Sequence, residues 1–400
     1  MIKYLVLFWL LLITSLADAR MEYALQHHIT SCTACHASPL GGGPRNIDGK
    51  LYGSRFDVPS EWSHQDQVSA DVRAISYYPS GGTTSKQGTA LMTSTVAANL
   101  PVIKRPDSSE IRLVAAYSLG AVYEGPREIY GMWQSKVKEE SPYYVLIGRI
   151  NAPFGILTDE HRTFTKLLTL TEIFDYEMGG LVSKDFGNFH FDFATTNGEQ
   201  TGGQFNSSTS TSQDSTSAGF LNVRWMPSRI PILVGASADY QSRLILKKNP
   251  YALAAYFGLS LDRATNNWMS GSILAEGVYA EHFADPLVNS KNITAYFVPQ
   301  SDTSYLAIIG DAPAIAWNVQ FNLNIFTRWV AQYKLESLTF NPAYNGDRYF
   351  RQGMGFKYFA DSNIILMARY ELADVGRSEI SGQNVFAAQN AFWLMAELWL

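Results

Sequence analysis

One stretch decides the fold of this chain: Trp317-Asn318-Val319-Gln320-Phe321-Asn322-Leu323-Asn324-Ile325. Apolar side chains stand at every odd position, and amide side chains stand at every even position. Because successive side chains of a β-strand point to opposite faces, such a strand has one apolar face and one uncharged polar face. A soluble sandwich strand can also alternate, but a row of four amides fits a water-filled lumen, and the apolar row fits lipid. The stretch therefore predicts one strand of a transmembrane β-barrel.

The same alternation recurs elsewhere, and the composition agrees with it. Phe189, Phe191 and Phe193 alternate with polar residues, and the run from Ile364 to Tyr370 alternates more weakly. Only 17% of the residues are charged, against about 25% in typical soluble chains, while Phe and Tyr number 22 each and Trp 9. This bias suits a lipid-facing band with aromatic girdles. We therefore predict an all-β fold, a transmembrane antiparallel β-barrel.

Connection lengths predict how the barrel is oriented. Outer-membrane barrels alternate short periplasmic turns with longer external loops. The Ser/Thr-rich tract 197–217 is then external, the turns 227–231 and 264–267 are periplasmic, and both mature termini are periplasmic as well. Our division of the chain gives about eighteen strands, with 291–298 and 303–311 among them. Sixteen fits almost equally, because the stretch 314–338 alternates so evenly that splitting it is a matter of judgement. The final strand places Phe392, Leu394, Ala396, Leu398 and Leu400 on one face.

The beginning of the chain predicts export. Lys3 precedes an apolar run, 4–16, and Ala17-Asp18-Ala19 supplies the small residues that a signal peptidase reads. The run is too short for a spanning helix, so residues 1–19 are expected to be a signal peptide. If the barrel occupies 69–400, the segment 20–68 is too short to bury a large core of its own. It would have to pack around a covalent cofactor and against the barrel.

Both cysteines of the chain lie in that segment, in Cys32-Thr33-Ala34-Cys35-His36. Two cysteines separated by two residues, with a histidine directly after the second, are typical of a c-type haem attachment site. The thiols form thioethers with the haem vinyl groups, and the imidazole ligates the iron. A thioredoxin-like pair would need a βαβ context, and a structural zinc site would need two more ligands. A disulfide between Cys32 and Cys35 would leave His36 unexplained. We therefore predict one covalent c-type haem held by Cys32, Cys35 and His36.

Other residues are weaker candidates for contact with this haem. His28 is our first choice for the second axial ligand, because it lies in the same short segment. An open sixth position, or a surface role for these histidines, is the alternative. Arg45 in the Gly-rich stretch 39–46 is a candidate partner for a haem propionate, since a guanidinium matches carboxylate geometry. A solvated arginine in a flexible linker is the alternative. The further candidates for the sixth ligand are His27, His64, Met21 and Met92.

A signal peptide, one Cys-x-x-Cys-His motif, a short Gly-rich stretch and a barrel resemble the fused outer-membrane monohaem cytochrome-porins, an iron-oxidase-like family. Only Cys32, Cys35 and His36 carry over as a specific motif. The resemblance implies electron transfer across the outer membrane, with ferrous iron oxidase activity as one form of it. The implied partners are outer-membrane lipid, a periplasmic c-type cytochrome and an extracellular donor or acceptor such as Fe2+. No nucleic-acid partner is expected.

An iron-oxidising barrel should offer ligands to Fe2+. Asp159, Glu160 and His161 cluster in a predicted loop, and carboxylates with an imidazole would bind divalent iron weakly. His190 and Asp192 should both face the lumen. A solvated loop and an ordinary polar pore lining are the alternatives. A net charge of −5 favours cations only mildly.

Two other functions remain open on the sequence. The first is a passive diffusion porin with a structural haem plug. The second is a haem-based ligand sensor or peroxidase tethered to a barrel.

Overall fold

A computed structural model describes a few residues of the N-terminal segment and most of the chain from residue 67 onward. The predicted signal peptide, 1–19, lies outside the described residues. The described residues are 24–25, 32, 35–36, 38–40, 67–80, 88–106, 109–119, 124–135, 142–156, 163–169, 171, 176–198, 216–227, 229–243, 249–266, 268–283, 312–326, 328–343, 348–361, 364–375 and 390–399.

Within these residues sixteen strands form one closed sheet, in which every strand pairs antiparallel with its neighbours in the chain and β16 pairs with β1. No helix in this part of the chain has the length and apolar character needed to cross a membrane. The elements are β1 (Val68–Ser80), β2 (Gly88–Lys104), β3 (Glu110–Leu119), β4 (Glu124–Gln134), β5 (Tyr143–Asn151), α1 (Phe164–Thr169), β6 (Tyr176–Phe186), β7 (Phe189–Thr196), β8 (Thr216–Trp225), β9 (Ile232–Arg243), β10 (Tyr251–Ser260), α2 (Leu261–Ala264), β11 (Gly271–Glu281), β12 (Pro313–Phe326), β13 (Trp329–Thr339), β14 (Arg348–Asp361), β15 (Ile364–Val375) and β16 (Asn390–Trp399).

The all-β, antiparallel barrel predicted from the sequence is confirmed, and of the two strand counts the structure has the lower one. β11 pairs directly with β12, with Gly277 opposite Trp317, so the sheet closes without the segments 291–298 and 303–311. Those segments lie outside the described residues. The division of the even stretch 314–338 is also confirmed, because β12 and β13 form a hairpin around residues 327–328.

Connection lengths differ between the two ends of the barrel. At what we call the turn end, residues 187–188, 327–328 and 362–363 join strands directly. At the opposite loop end, the connections 152–175, 197–215 and 282–312 are far longer. β1 begins and β16 finishes at the turn end, so both ends of the barrel chain lie there. The predicted alternation of turns and loops is therefore present.

Exposure alternates along the strands as the sequence predicts. On β7 the rings of Phe189, Phe191 and Phe193 are 43%, 37% and 54% exposed on the outside, whereas His190 and Asp192 are each 1% exposed. On β12, Phe321 and Leu323 point outward and Asn318 and Asn322 are buried. These strands therefore have an apolar face on the outside of the barrel and a polar face on the inside.

Aromatic pairs mark both rims of the outer face. At the turn end the ring centroids of Trp329 and Tyr358 are 4.6 Å apart, and those of Phe189 and Trp225 are 6.4 Å apart. At the loop end Tyr78 pairs with Phe392 at 6.3 Å, and Tyr251 pairs with Tyr279 at 6.2 Å. Two such girdles around an apolar band are typical of outer-membrane barrels.

Candidate functional site in the lumen

Part of the N-terminal segment is packed inside the barrel. Leu25 is fully buried in a cluster that includes Ile156, and it lies so close to Gly258 on β10 that a Cβ there would be 3.0 Å from its Cδ2. Leu40 is buried in the main apolar cluster together with Tyr130 on β4 and Tyr144 on β5. The segment therefore contacts two different parts of the inner wall.

The predicted haem motif forms one tight turn. The amide N–H groups of Cys35 and His36 both donate to the carbonyl oxygen of Cys32, at 3.1 and 2.9 Å. Cys35 and His36 are buried, and Cys32 is half-buried. Neither thiol takes part in a disulfide. The turn brings together two thiols and an imidazole, which are the protein groups that a c-type haem uses, so these residues fit that cofactor.

A group of charged side chains on the inner wall faces the turn. We call Asp185, His190, Asp192 and Arg224 the wall cluster. His190 Nδ1 is 2.6 Å from Asp185 Oδ1, and its Nε2 is 2.8 Å from Asp192 Oδ1. The Arg224 guanidinium lies within hydrogen-bonding reach of the Cys32 sulfur and close to both carboxylates. Burial raises the pKa of the Cys32 thiol above its ordinary value, and Arg224 partly opposes that rise, so the free thiol is neutral at pH 7.

Amide and hydroxyl groups continue this cluster along the wall. Asn222 Nδ2 donates to Asp192 Oδ2 at 3.2 Å, and Asn222 Oδ1 accepts from the hydroxyls of Tyr256 at 2.6 Å and Ser237 at 2.8 Å. Ser237 Oγ also accepts from the N–H of Gly155 at 2.9 Å. The wall cluster is thereby connected to the long connection between β5 and β6.

The described residues of that connection fold into the lumen and are fixed by Glu276 on β11. Glu276 Oε1 accepts from the amide of Ile156 at 2.8 Å and from Lys166 Nζ at 3.0 Å. Its Oε2 accepts from Thr165 Oγ1 at 2.7 Å and from Asn318 Nδ2 at 3.2 Å. One buried carboxylate therefore holds both the chain before α1 and α1 itself.

Glycine at position 155 permits this approach. Gly155 has φ +63°, and a Cβ there would lie 1.8 Å from Glu276 Oε1 and 2.5 Å from Lys166 Nζ. A residue with a side chain would meet both a steric clash and an unfavourable backbone conformation.

A second carboxylate, Glu336 on β13, fixes the other side of α1. Glu336 Oε1 accepts from the Phe164 amide at 3.2 Å and pairs with Lys334 Nζ at 2.9 Å, while its Oε2 pairs with Arg351. The Arg351 guanidinium lies 4.6 Å from the centroid of the Phe164 ring. Lys334 Nζ also donates to Thr163 Oγ1 at 2.9 Å. The helix is therefore held against β11 to β14 by paired charges.

Several predicted site residues lie outside the described residues, and their roles stay predictions. His190 and Asp192 face the lumen as predicted, but there they hydrogen-bond to each other as part of the wall cluster. In the described part of the chain no group of three or more His, Cys, Asp or Glu side chains is placed to hold a metal ion. Met92 is buried on β2. The predicted residues outside the description are Met21, His27, His28, Arg45, His64, Asp159, Glu160 and His161.

Sequence reasoning missed Arg224, Lys166, Glu276 and Glu336. Alternation does place Glu276 on the inner face of β11, as a single charge among small and apolar neighbours. A lone charge on an inner face is the signal that could have singled it out. Its partner Lys166 comes from a connection without any period, so the pairing could not be read from the sequence.

The barrel resembles solved structures of outer-membrane porins. No protein-family model and no curated protein matches the chain. The anion-selective porin from Comamonas acidovorans has a TM-score of 0.54 at 10% identity, covering 83% of this chain and 98% of that one. OmpF of Salmonella typhi, in complex with daunomycin, has a TM-score of 0.54 at 9% identity, covering 83% of this chain and 97% of that one. A porin whose structure was refined at 1.8 Å resolution has a TM-score of 0.51 at 13% identity, covering 84% of this chain and 99% of that one. The chain has the fold of an outer-membrane porin.

Proposed function

We propose that this chain is an outer-membrane electron-transfer conduit that carries one covalent c-type haem inside a porin-like barrel. It moves single electrons between an extracellular donor or acceptor and a periplasmic c-type cytochrome. The observation that carries this proposal is the turn from Cys32 to His36, which lies against the inner wall of the barrel. Lipid insulates, so a redox centre that serves both sides must be held within the barrel.

The residues of the turn have separate roles in this proposal. Cys32 and Cys35 would attach the cofactor through their thiols, and His36 would supply a nitrogen ligand to its iron. When bound, a c-type haem supplies a one-electron ferric/ferrous couple. Leu25 precedes the turn in the chain and Leu40 follows it. Both are buried in apolar clusters with residues of the inner wall, so they anchor the segment there. These anchors hold the turn against the wall.

The proposed orientation places the turn end in the periplasm. Both ends of the barrel chain lie at the turn end, and the long connections lie at the loop end, as in outer-membrane barrels. A predicted signal peptide on residues 1–19 supports export to that membrane. Fe2+ is our candidate extracellular substrate, which makes ferrous iron oxidation the candidate activity. Asp159, Glu160 and His161 remain the candidate Fe2+ ligands.

Passive diffusion is the second candidate function. The anion-selective porin and OmpF have the same fold as this chain, and a haem plug could be purely structural. The lumen also holds the folded connection between β5 and β6, which would restrict a diffusing solute. On this hypothesis solutes cross the barrel and electrons do not.

A liposome experiment separates the two candidates. The exported protein is purified, its covalent haem is measured by the pyridine haemochrome spectrum, and it is reconstituted into vesicles that enclose ferric cytochrome c. We expect external Fe2+ to reduce the enclosed cytochrome, and a Cys35→Ala variant to lose both the haem and the reduction. Ser38→Ala in the same segment is the matched control. Sugar-driven swelling without cytochrome reduction would establish the passive porin instead.

A spectrum with carbon monoxide tests the sixth position. If a histidine such as His28 is the sixth ligand, the ferrous spectrum should not change when the gas is added. An immediate change would mean an open position and would favour the ligand sensor or peroxidase.

A further inference from the structure

We infer that the wall cluster sets the reduction potential of the haem attached at Cys32, with Arg224 raising it and the carboxylate of Asp192 lowering it. This inference rests on the proposed function, because it requires a haem on the Cys32 to His36 turn. It goes further by assigning a role to strand residues that the attachment itself does not use.

Arg224 lies close to the Cys32 to His36 turn. Arg224 lies within hydrogen-bonding reach of the Cys32 sulfur, so its charge stands at the edge where the haem would be attached. Asp192 is 1% exposed and Arg224 is 5% exposed. Charges buried in this way act through protein, where they are screened far less than at a water-exposed surface.

The inner wall does not use all of the hydrogen-bond donors of Arg224. The Nε and Nη2 atoms of Arg224 are buried and hydrogen-bond to no partner among the described residues. The carboxylate of Asp192 is instead occupied by His190 and by Asn222, at 2.8 and 3.2 Å. The wall therefore leaves two donors of the guanidinium unused, although both carboxylates lie near it, and its charge also acts on Cys32 in the turn.

The charges of Arg224 and Asp192 act on the haem in opposite directions. Reduction of a ferric haem adds one negative charge, so a nearby cation stabilises the ferrous form and a nearby anion stabilises the ferric form. A unit charge about 10 Å from a redox centre, at an effective dielectric constant of about 20, changes the ferric-to-ferrous ratio on the order of tenfold. A tenfold change corresponds to about 59 mV for a one-electron couple.

Redox titration of three variants of the full-length haem-loaded protein tests the inference. Arg224→Gln should lower the midpoint potential by about 59 mV, and Asp192→Asn should raise it by a similar amount. Arg224→Lys keeps the charge, so it should stay close to the wild-type value. Asp192→Asn keeps an amide oxygen for His190 but loses the bond from Asn222, so its haem content is checked before the titration.

Shifts of opposite sign support the inference, whereas no shift, or shifts of the same sign, would overturn it. The haem content of each variant is measured first, because loss of folding would reduce it without moving the potential of the remaining haem. If Arg224→Gln does not fold, a rise in the midpoint potential of Asp192→Asn still supports the inference, and no rise overturns it. A wild-type protein without covalent haem would contradict the proposed function itself, which is a different result.

Discussion

At the scale of single residues, Gly235 shows how an absent side chain shapes the inner wall. A Cβ at this position would lie 2.1 Å from Cζ of Tyr256 and 2.3 Å from its hydroxyl oxygen. The tyrosine ring fills that space, and its hydroxyl reaches Asn222 Oδ1 at 2.6 Å. Asn222 in turn donates to Asp192. The wall cluster is therefore braced by a tyrosine that only a glycine on the neighbouring strand can accommodate.

Gly235→Ala should destabilise the barrel by forcing Tyr256 out of this space. Overpacking of a filled core costs about 1–3 kcal/mol, and loss of the bond to Asn222 adds to it. We expect a lower temperature at which the folded barrel loses its fast mobility on a denaturing gel. Gly219→Ala on β8 is the control, because a Cβ there meets nothing within 4 Å. Equal midpoints for the two variants would contradict this account.

At the scale of elements, a short helix is held in the lumen by charge. α1 is only six residues long, which is too short to be stable by itself in water. Its Lys166 is buried, and burial lowers the pKa of that ammonium while Glu276 opposes the shift. The pairing with Glu276 therefore favours the charged form of the lysine inside the barrel and ties α1 to β11.

Glu276→Gln should release α1 from the wall. Removing one partner of a buried ion pair costs about 3–5 kcal/mol, because the other charge stays buried and uncompensated. We expect a larger single-channel conductance in planar bilayers and faster protease cleavage of the chain between β5 and β6.

Two further variants test whether charge is the cause. Glu276→Gln with Lys166→Met removes both charges and should restore much of the protection from protease. Glu281→Gln makes the same chemical change at the loop end of β11, where the carboxylate bonds to Tyr279, and should leave conductance unchanged. If the double variant is cleaved as fast as the single one, the ion pair does not hold the helix.

At the scale of the whole molecule, a buried ion pair lies where the barrel closes. Arg73 on β1 and Glu397 on β16 stand opposite each other in register, with Nη2 and Oε1 3.0 Å apart. Both side chains are nearly inaccessible, at 4% and 1% exposed. Because side chains alternate with period two, a slip of one residue would turn one of them toward lipid. The pair therefore favours one register for the last hydrogen-bonded seam.

Reversing one charge of this pair should impair closure, and reversing both should restore it. Arg73→Glu places two buried carboxylates opposite each other, which should destabilise the folded barrel by at least about 3 kcal/mol. Glu397→Arg should act similarly, while the double exchange Arg73→Glu with Glu397→Arg recovers most of the folded fraction. The fraction of heat-modifiable folded protein after refolding into detergent is the measurement. No recovery in the double variant would show that the pair does not specify the seam.

Prediction from the sequence succeeded for strands and faces, and it was weaker for boundaries. The stretches around Phe191 and Trp317 alternate strictly, and β7 and β12 have the predicted faces. The limits of β6, Tyr176–Phe186, depend on its pairing with β5 and β7. The local alternation of apolar and polar residues does not indicate where a partner strand begins and ends.

The sequence by itself determined the class of fold, the ends at which turns and loops lie, and the Cys32 to His36 motif, because each is written in residues that are neighbours in the chain. Only the tertiary structure decided the sixteen-strand closure, the packing of that turn beside Arg224 and the docking of α1 on Glu276. These join residues about a hundred or more positions apart, as in the 110 between Lys166 and Glu276. No local period encodes such a pairing, since it exists only once the closed sheet brings its inner faces together.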